Sequence, residues 1–224
     1  MSKHLERDVQ QLHRRLMNMS GVVEKMIDDS ALAFVERRAE LARHVLSQDE
    51  QVDAVEVVIE EECLKILALH QPVATDLRRI TTVLKINVEL ERMADLACNI
   101  AERAVSMHCY PGFPIPRRLT DMVRESTLMV RTVLDAFVNS DVGLAKQVIL
   151  TDDSIDENNR QIIEDIKVIM TGESAYIDAG LHCFSASRHI ERIADLATNI
   201  AEDVIYLVDG EIVRHQHNVY STRR

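Results

Sequence analysis

The chain has 224 residues, of which 26 are Lys or Arg and 37 are Asp or Glu, so its formal charge is −11. Such a charge repels nucleic-acid phosphates and anionic lipid, and we expect neither as a partner. Trp is absent and Gly (6) and Pro (4) are scarce, while Ala, Leu, Val, Ile, Glu and Arg dominate, which favours an all-α fold.

Targeting and redox signals are weak. The first residues are charged and no apolar stretch is long enough to span a bilayer, so we expect a cytoplasmic protein without direct membrane insertion. The cysteines lack C-x-x-C spacing, which is typical of buried reduced thiols rather than of a zinc site or a disulfide framework. They are Cys63, Cys98, Cys109 and Cys183.

Hydrophobic periodicity predicts six helices that break at polar or helix-ending residues. We expect them at roughly 3–36, 38–69, 73–108, 115–139, 141–170 and 174–209. Ser140 is a candidate N-cap for the helix that begins at 141. The segment 110–116 holds three of the four prolines and is predicted to be an extended connector.

The chain contains a repeat. Residues 91–102 and 191–202 share ten of twelve positions, at an offset of 191 − 91 = 100. Earlier matches, such as Asp49 with Asp152, are 152 − 49 = 103 positions apart, so the second copy lacks three residues between about 60 and 90, most simply in a shortened loop.

The repeat predicts two pseudo-symmetric three-helix bundles. The expected organisation is a first repeat at 1–109, the Pro-rich connector at 110–116, a second repeat at 117–210 and a C-terminal tail at 211–224.

The repeated helix keeps its polar residues as well as its apolar ones. With about 100° per residue, one helix face carries Glu91, Asp95 and Asn99, and its copy carries Glu191, Asp195 and Asn199. The preceding helix of each half adds an acidic pair, Asp49 and Asp53 in the first and Asp152 and Asp156 in the second.

Two interpretations of these acidic faces remain open. Carboxylates at i and i+4 repel each other by a few tenths of a kcal/mol, and a bound cation would relieve that repulsion. Carboxylate and amide oxygens suit Mg²⁺, Mn²⁺, Ca²⁺ or iron, while the absence of Glu-x-x-His argues against a ferritin-like di-iron site. The alternative is a solvated or partner-binding face.

Other functional residues are few. Arg92 and Arg192 follow the repeated Glu and are expected either to bind a partner or to form salt bridges that orient neighbouring helices. No Ser/His/Asp or Cys/His pairing, phosphate loop or dinucleotide fingerprint occurs, so we expect no catalytic residue and no organic cofactor.

At these positions the chain resembles the PhoU family, whose signature is a tandem three-helix repeat with Glu/Asp-x-x-x-Asp motifs. Glu91…Asp95 and Glu191…Asp195 match that signature, and the earlier acidic pairs match its other motif positions. Ala94 and Ala194 stand where members often have Gly.

The resemblance implies a non-enzymatic negative regulator of phosphate uptake and of the phosphate-starvation response. It implies a homodimer that links a phosphate ABC transporter to a sensor histidine kinase. It also implies Mg, Mn, Fe or Zn ions on the acidic motifs, with Glu91, Arg92, Glu191 and Arg192 facing partners. Alternatives are a metal-binding partner of another phosphate transporter, such as a sodium–phosphate symporter, and a carboxylate metalloenzyme.

Overall fold

A computed structural model of the chain describes residues 3–210 and Val213. Every regular element in this part of the chain is helical, which confirms the predicted all-α fold. Apart from Val213, the predicted tail at 211–224 lies outside the described residues. The helices are α1 (Lys3–Glu36), α2 (Ala39–Leu46), α3 (Asp49–His70), α4 (Ala74–Met107), α5 (Arg117–Asn139), α6 (Val142–Gly172) and α7 (Ile177–Asp209), with a 3-10 turn at Ser174–Tyr176. None of the described helices is long and apolar enough to cross a membrane.

The prediction of one helix over 38–69 was wrong, because α2 and α3 are separate there. The backbone tightens between them, with the N–H of Ser47 bonded to the carbonyl of His44 at 3.2 Å and that of Gln48 to Val45 at 3.0 Å. The Ser47 hydroxyl also donates to the His44 carbonyl at 2.7 Å. The equivalent positions in α6 stay helical.

Helix packing follows the repeat. In the first half α1, α3 and α4 pack together, and in the second half α5, α6 and α7 do. Helices α4 and α7 contact each other along the seam between the halves, and the buried apolar side chains form one continuous core. Burying each Leu, Ile, Val, Phe or Met contributes roughly 1.5–3 kcal/mol, so this shared core is what joins the halves.

The shift in repeat offset has a structural location. At an offset of 103 His70 corresponds to Glu173, and at an offset of 100 Ala74 corresponds to Ser174. The three residues without a counterpart, Gln71 to Val73, are the loop between α3 and α4. The missing residues are therefore loop residues, as the repeat predicted.

The N-cap of α6 differs from the expected one. Asp141 caps the helix, since its Oδ1 accepts hydrogen bonds from the N–H groups of Gly143 at 2.7 Å and Leu144 at 3.1 Å. Ser140 instead ends α5 in the left-handed region, with φ of 53°. Ser140 takes the left-handed conformation that ends α5, and the next residue, Asp141, is then placed to accept the first N–H groups of α6.

The Pro-rich connector at 110–116, which joins α4 to α5, is held in place by contacts with other parts of the protein. The Arg37 guanidinium donates to the carbonyl of Tyr110 at 3.2 Å and also to that of Phe113. Phe113 is buried and meets Tyr176 edge-to-face, with ring centroids 5.7 Å apart. These contacts hold the Pro-rich connector against both halves.

Candidate functional site at the seam of the two halves

The two copies of the repeated motif meet in one groove between α4 and α7. Its volume is about 590 Å³. Each lining residue has its equivalent 100 positions away, so the two repeats present the same side chains to the same space. The lining residues are Arg92, Asp95, Leu96 and Asn99 from α4 and Arg192, Asp195, Leu196 and Asn199 from α7. The sequence predicted equivalent environments for the motifs but not a shared groove.

Small residues accompany the motifs. The alanines between the acidic and apolar faces are all buried, at 1% exposure or less. A small-residue strip allows a neighbouring backbone to approach closely, which is consistent with the α4–α7 packing. These residues are Ala94, Ala97, Ala101, Ala194, Ala197 and Ala201.

In the first half, α3 and α4 bring four of the predicted acids together. Burial raises the pKa of Asp95, and the nearby carboxylates of Asp49 and Asp53 raise it further. Burial also raises the pKa of Glu91, to which Asp95, Asp53 and Glu56 add, against an opposing effect of Arg92. The cluster is therefore a site of concentrated negative charge, which Arg92 offsets only in part.

The second half repeats this arrangement across α6 and α7. Burial raises the pKa of Glu191 first, then Asp195 raises it, and Asp156 adds a smaller effect. Arg188 opposes these effects because its guanidinium lies 2.7 Å from Oε1 of Glu191. Asp152 lies one helical turn before Asp156 on α6.

The two acidic clusters are equivalent but not identical. Glu191 is buried, at 8% exposure, whereas Glu91 is half-buried. Similarly, Glu202 is buried at 9% exposure while its counterpart Glu102 is exposed. The second cluster also has Arg188 as a neutralising partner. The first cluster thus carries more exposed and less compensated negative charge.

Cys98 is a residue of this site that the sequence analysis assigned only to the core. Its thiol donates to Oδ1 of Asp49 at 3.4 Å. Burial together with the Asp49 carboxylate raises the pKa of Cys98 to about 12, so the thiol stays protonated. The Cys-to-Thr difference between the repeats at positions 98 and 198 was the available signal. Cys109, also expected to be buried, is exposed.

Among the described residues, Arg92 and Arg192 form no ion pair with a neighbouring helix. The nearest acidic partner of Arg92 is Glu89 of its own helix, at 3.7 Å. Arg192 forms no ion pair with a described residue. Both guanidinium groups line the α4–α7 groove instead, where they can contact a partner or an anion.

The donor set of the clusters fits hard cations, since it consists of carboxylates and amides close to one another. Yet no group of three or more His, Cys, Asp or Glu side chains in the described part of the chain has the geometry of a metal site. Asp53, Asp95, Asp156 and Asp195 are exposed and their side chains can reorient. Metal binding by these residues therefore stays a prediction.

A family model matches most of the chain. The model described as "PhoU domain" matches residues 16–104 and 119–204. Its two matches correspond to the two repeats, and each contains one copy of the acidic motif helix.

Relatives and solved structures agree with that match. The chain is 37% identical to the phosphate-specific transport system accessory protein PhoU homolog of Pseudomonas putida, over 96% of this chain and 84% of that protein. It is 31% identical to the phosphate-specific transport system accessory protein PhoU of Escherichia coli, over 96% and 91% of the two chains. The crystal structure of PhoU from Pseudomonas aeruginosa superposes with a TM-score of 0.86 at 35% identity, covering 92% of this chain and 99% of that one.

Proposed function

Because the chain belongs to the PhoU family, we propose that it is a non-enzymatic negative regulator of phosphate uptake and of the phosphate-starvation response. The relatives it matches are named accessory or regulatory proteins of phosphate transport, not enzymes. In this role the protein couples a phosphate ABC transporter to a sensor histidine kinase on the cytoplasmic side of the membrane.

One observation carries the proposal: Asp95 of the first motif and Asp195 of the second line the same groove. Exposed carboxylates such as Asp95 and Asp195 attract basic partner surfaces, and such steering accelerates association and weakens as salt rises. The guanidinium groups of Arg92 and Arg192 add bidentate donors for partner carboxylates. A duplicated motif allows two partners to be contacted in equivalent ways.

Metal ions belong to the same proposal. Asp49, Asp53, Glu91 and Asp95 would hold Mg, Mn, Fe or Zn in the first half, with Asn99 as an additional oxygen ligand. The equivalent set in the second half is Asp152, Asp156, Glu191, Asp195 and Asn199. The support is the raised pKa of Glu91, Asp95 and Glu191, since neighbouring carboxylates that repel one another gain from a shared cation. Such a cation would supply charge neutralisation and a bridge to partner carboxylates.

A deletion strain tests the regulatory role. Without the gene, phosphate-responsive genes are expected to stay on in high phosphate. A complementing copy with Glu91→Gln and Glu191→Gln removes two charges while keeping the side-chain shape, and it should restore repression only in part. Glu164→Gln is the matched control, since its side chain is 65% exposed on α6 and pairs with Lys167.

Co-purification distinguishes the partners. The wild-type protein is expected to retain the transporter's cytoplasmic subunits and the kinase at low salt, and to exist as a homodimer in light scattering. Normal repression in the deletion strain, in the absence of a second gene of the family, would contradict the proposal and favour a role with another phosphate transporter.

A further inference from the structure

A second pocket lies where the ends of α1, α4, α5 and α7 meet. Its volume is about 530 Å³, and it shares no lining residue with the α4–α7 groove. Pockets of 300–1,000 Å³ are the size that small-molecule ligands use. Neither the acidic motifs nor the proposed regulatory contacts account for it.

The charged side chains of this pocket are mainly cationic, although the chain carries a formal charge of −11. Arg14 and Arg79 line it, and Glu6 is the acidic residue among the lining side chains. The only hydrogen bond of the Arg14 side chain to a described residue goes to the Gln10 carbonyl, at 3.3 Å. Arg79 forms neither a hydrogen bond nor an ion pair within the described part of the chain.

Several other arginines of the protein are paired with carboxylates. Arg131, for example, lies 2.9 Å from a Glu24 carboxylate oxygen and 2.8 Å from an Asp28 oxygen. In this acidic chain, carboxylate partners are plentiful. Two guanidinium groups without one, on the same pocket, therefore leave donors available to an external anion.

The pocket also contains a histidine nitrogen that has no hydrogen-bond partner among the described residues. His13 lines the pocket, and its Nε2 is buried without a hydrogen-bond partner in the described structure. Its ring packs on Phe137, with ring centroids 5.0 Å apart, which fixes the imidazole in place. Burial lowers the pKa of His13, and the charge of Arg79 lowers it further, so the ring is neutral and offers one N–H. Buried polar atoms are normally paired, so this nitrogen is left to hydrogen-bond with a water or a ligand that enters the pocket.

We propose that this pocket binds a small molecule through a phosphate group held by Arg14, Arg79 and His13. A carboxylate can be satisfied by a single bidentate arginine, whereas a tetrahedral phosphate has oxygens for donors that arrive from several sides. The remaining wall includes Val9, Phe137 and Leu207 and suits an apolar or aromatic group attached to the phosphate. The phosphate is either free inorganic phosphate or part of such an organic monoester.

Calorimetric titration of the full chain distinguishes these sources with three probes: inorganic phosphate, adenosine monophosphate and adenosine. Both phosphate-bearing probes are expected to bind saturably, and adenosine is not. Tighter binding of the monophosphate assigns the apolar wall to the organic group, while equal affinity assigns the pocket to free phosphate.

Matched charge variants then locate the site. Arg79→Gln should weaken binding about tenfold or more, because one charge-assisted contact is lost. Arg124→Gln, whose side chain is 80% exposed on α5, changes the charge equally and should leave affinity unchanged. The proposal is overturned if neither phosphate probe binds saturably, if adenosine binds as tightly as its monophosphate, or if the two variants behave alike. None of these results bears on the regulatory role of the acidic motifs.

Discussion

The Nζ of Lys85 lies 2.8 Å from Oδ1 of Asp203, and this ion pair ties α4 to α7. The Asp203 side chain is only 6% exposed, while that of Lys85 is 38% exposed. The ammonium group also lies 5.4 Å from the centroid of the Tyr206 ring, within range of a cation–π contact. The residue equivalent to Lys85 is Ser185, and the residue equivalent to Asp203 is Arg103. These two residues cannot form such an ion pair, so the Lys85–Asp203 pair has no counterpart in the other repeat.

Lys85→Met is expected to lower the free energy of unfolding by about 1–3 kcal/mol, because the buried Asp203 carboxylate loses its cation. Lys65→Met is the control, since Lys65 is exposed on α3, and should change stability little. Urea denaturation followed by circular dichroism measures both. A Lys85→Met protein as stable as the control would mean that the pair contributes nothing to the seam.

Asp95→Asn combined with Asp195→Asn should reduce bound metal while the helical fold is kept. In metal-free protein, the same double variant should be as stable as wild type or more stable by a few tenths of a kcal/mol, because like-charge repulsion is removed. Elemental analysis after growth with Mg, Mn, Fe or Zn, together with chelated samples in urea, measures both effects.

The control for that pair is Asp121→Asn, an exposed carboxylate on α5 that lies 2.8 Å from Arg124. Its metal content should equal that of wild type. If wild type binds no metal under any supply, the acidic faces act as docking surfaces alone.

Ala197→Leu should destabilise the protein by about 1–3 kcal/mol, because Ala197 has no exposed surface and the larger side chain overpacks a tight region. Val168→Leu is the control, since Val168 is 71% exposed on α6 and can be enlarged without steric conflict. Thermal unfolding compares the two. Equal melting temperatures would mean that the small-residue strip is not needed for helix approach.

The contribution of His13 to the free energy of unfolding should fall as pH drops below the ordinary histidine pKa of 6.5. The folded protein lowers the pKa of His13 through burial and then through Arg79, so in acid the unfolded chain binds more protons. The lowered pKa values of His182 and His189 act in the same direction.

His13→Gln isolates the contribution of that one ring. The difference in unfolding free energy between wild type and variant should be constant above pH 6.5 and should shrink or reverse as the pH falls below it. Denaturant titrations at a series of pH values measure this difference. A difference that does not change with pH would show that His13 titrates normally.

Much of the architecture could be predicted because helical periodicity and an internal repeat are local properties of the chain. The break after α1 at Arg37 and the loop from Gln71 to Val73 followed from residue type and from the shift in repeat offset. The break between α2 and α3 could not be predicted, because it consists of a local tightening of the backbone at Ser47 and Gln48 that no residue type there specifies. The exchange of roles between Ser140 and Asp141 likewise depends on backbone angles that the residue types alone leave open.

The sequence by itself determined the all-α class, the two homologous halves and the acidic residues that each half keeps, because composition, period and repetition are written in residue order. Only the tertiary structure decided that both motifs face one groove, that Cys98 joins the first acidic cluster and that Glu191 is paired with Arg188 while Glu91 is not. These relationships depend on how α3, α4, α6 and α7 are rotated and spaced by packing. Packing is a collective property of the core, and no local pattern specifies it.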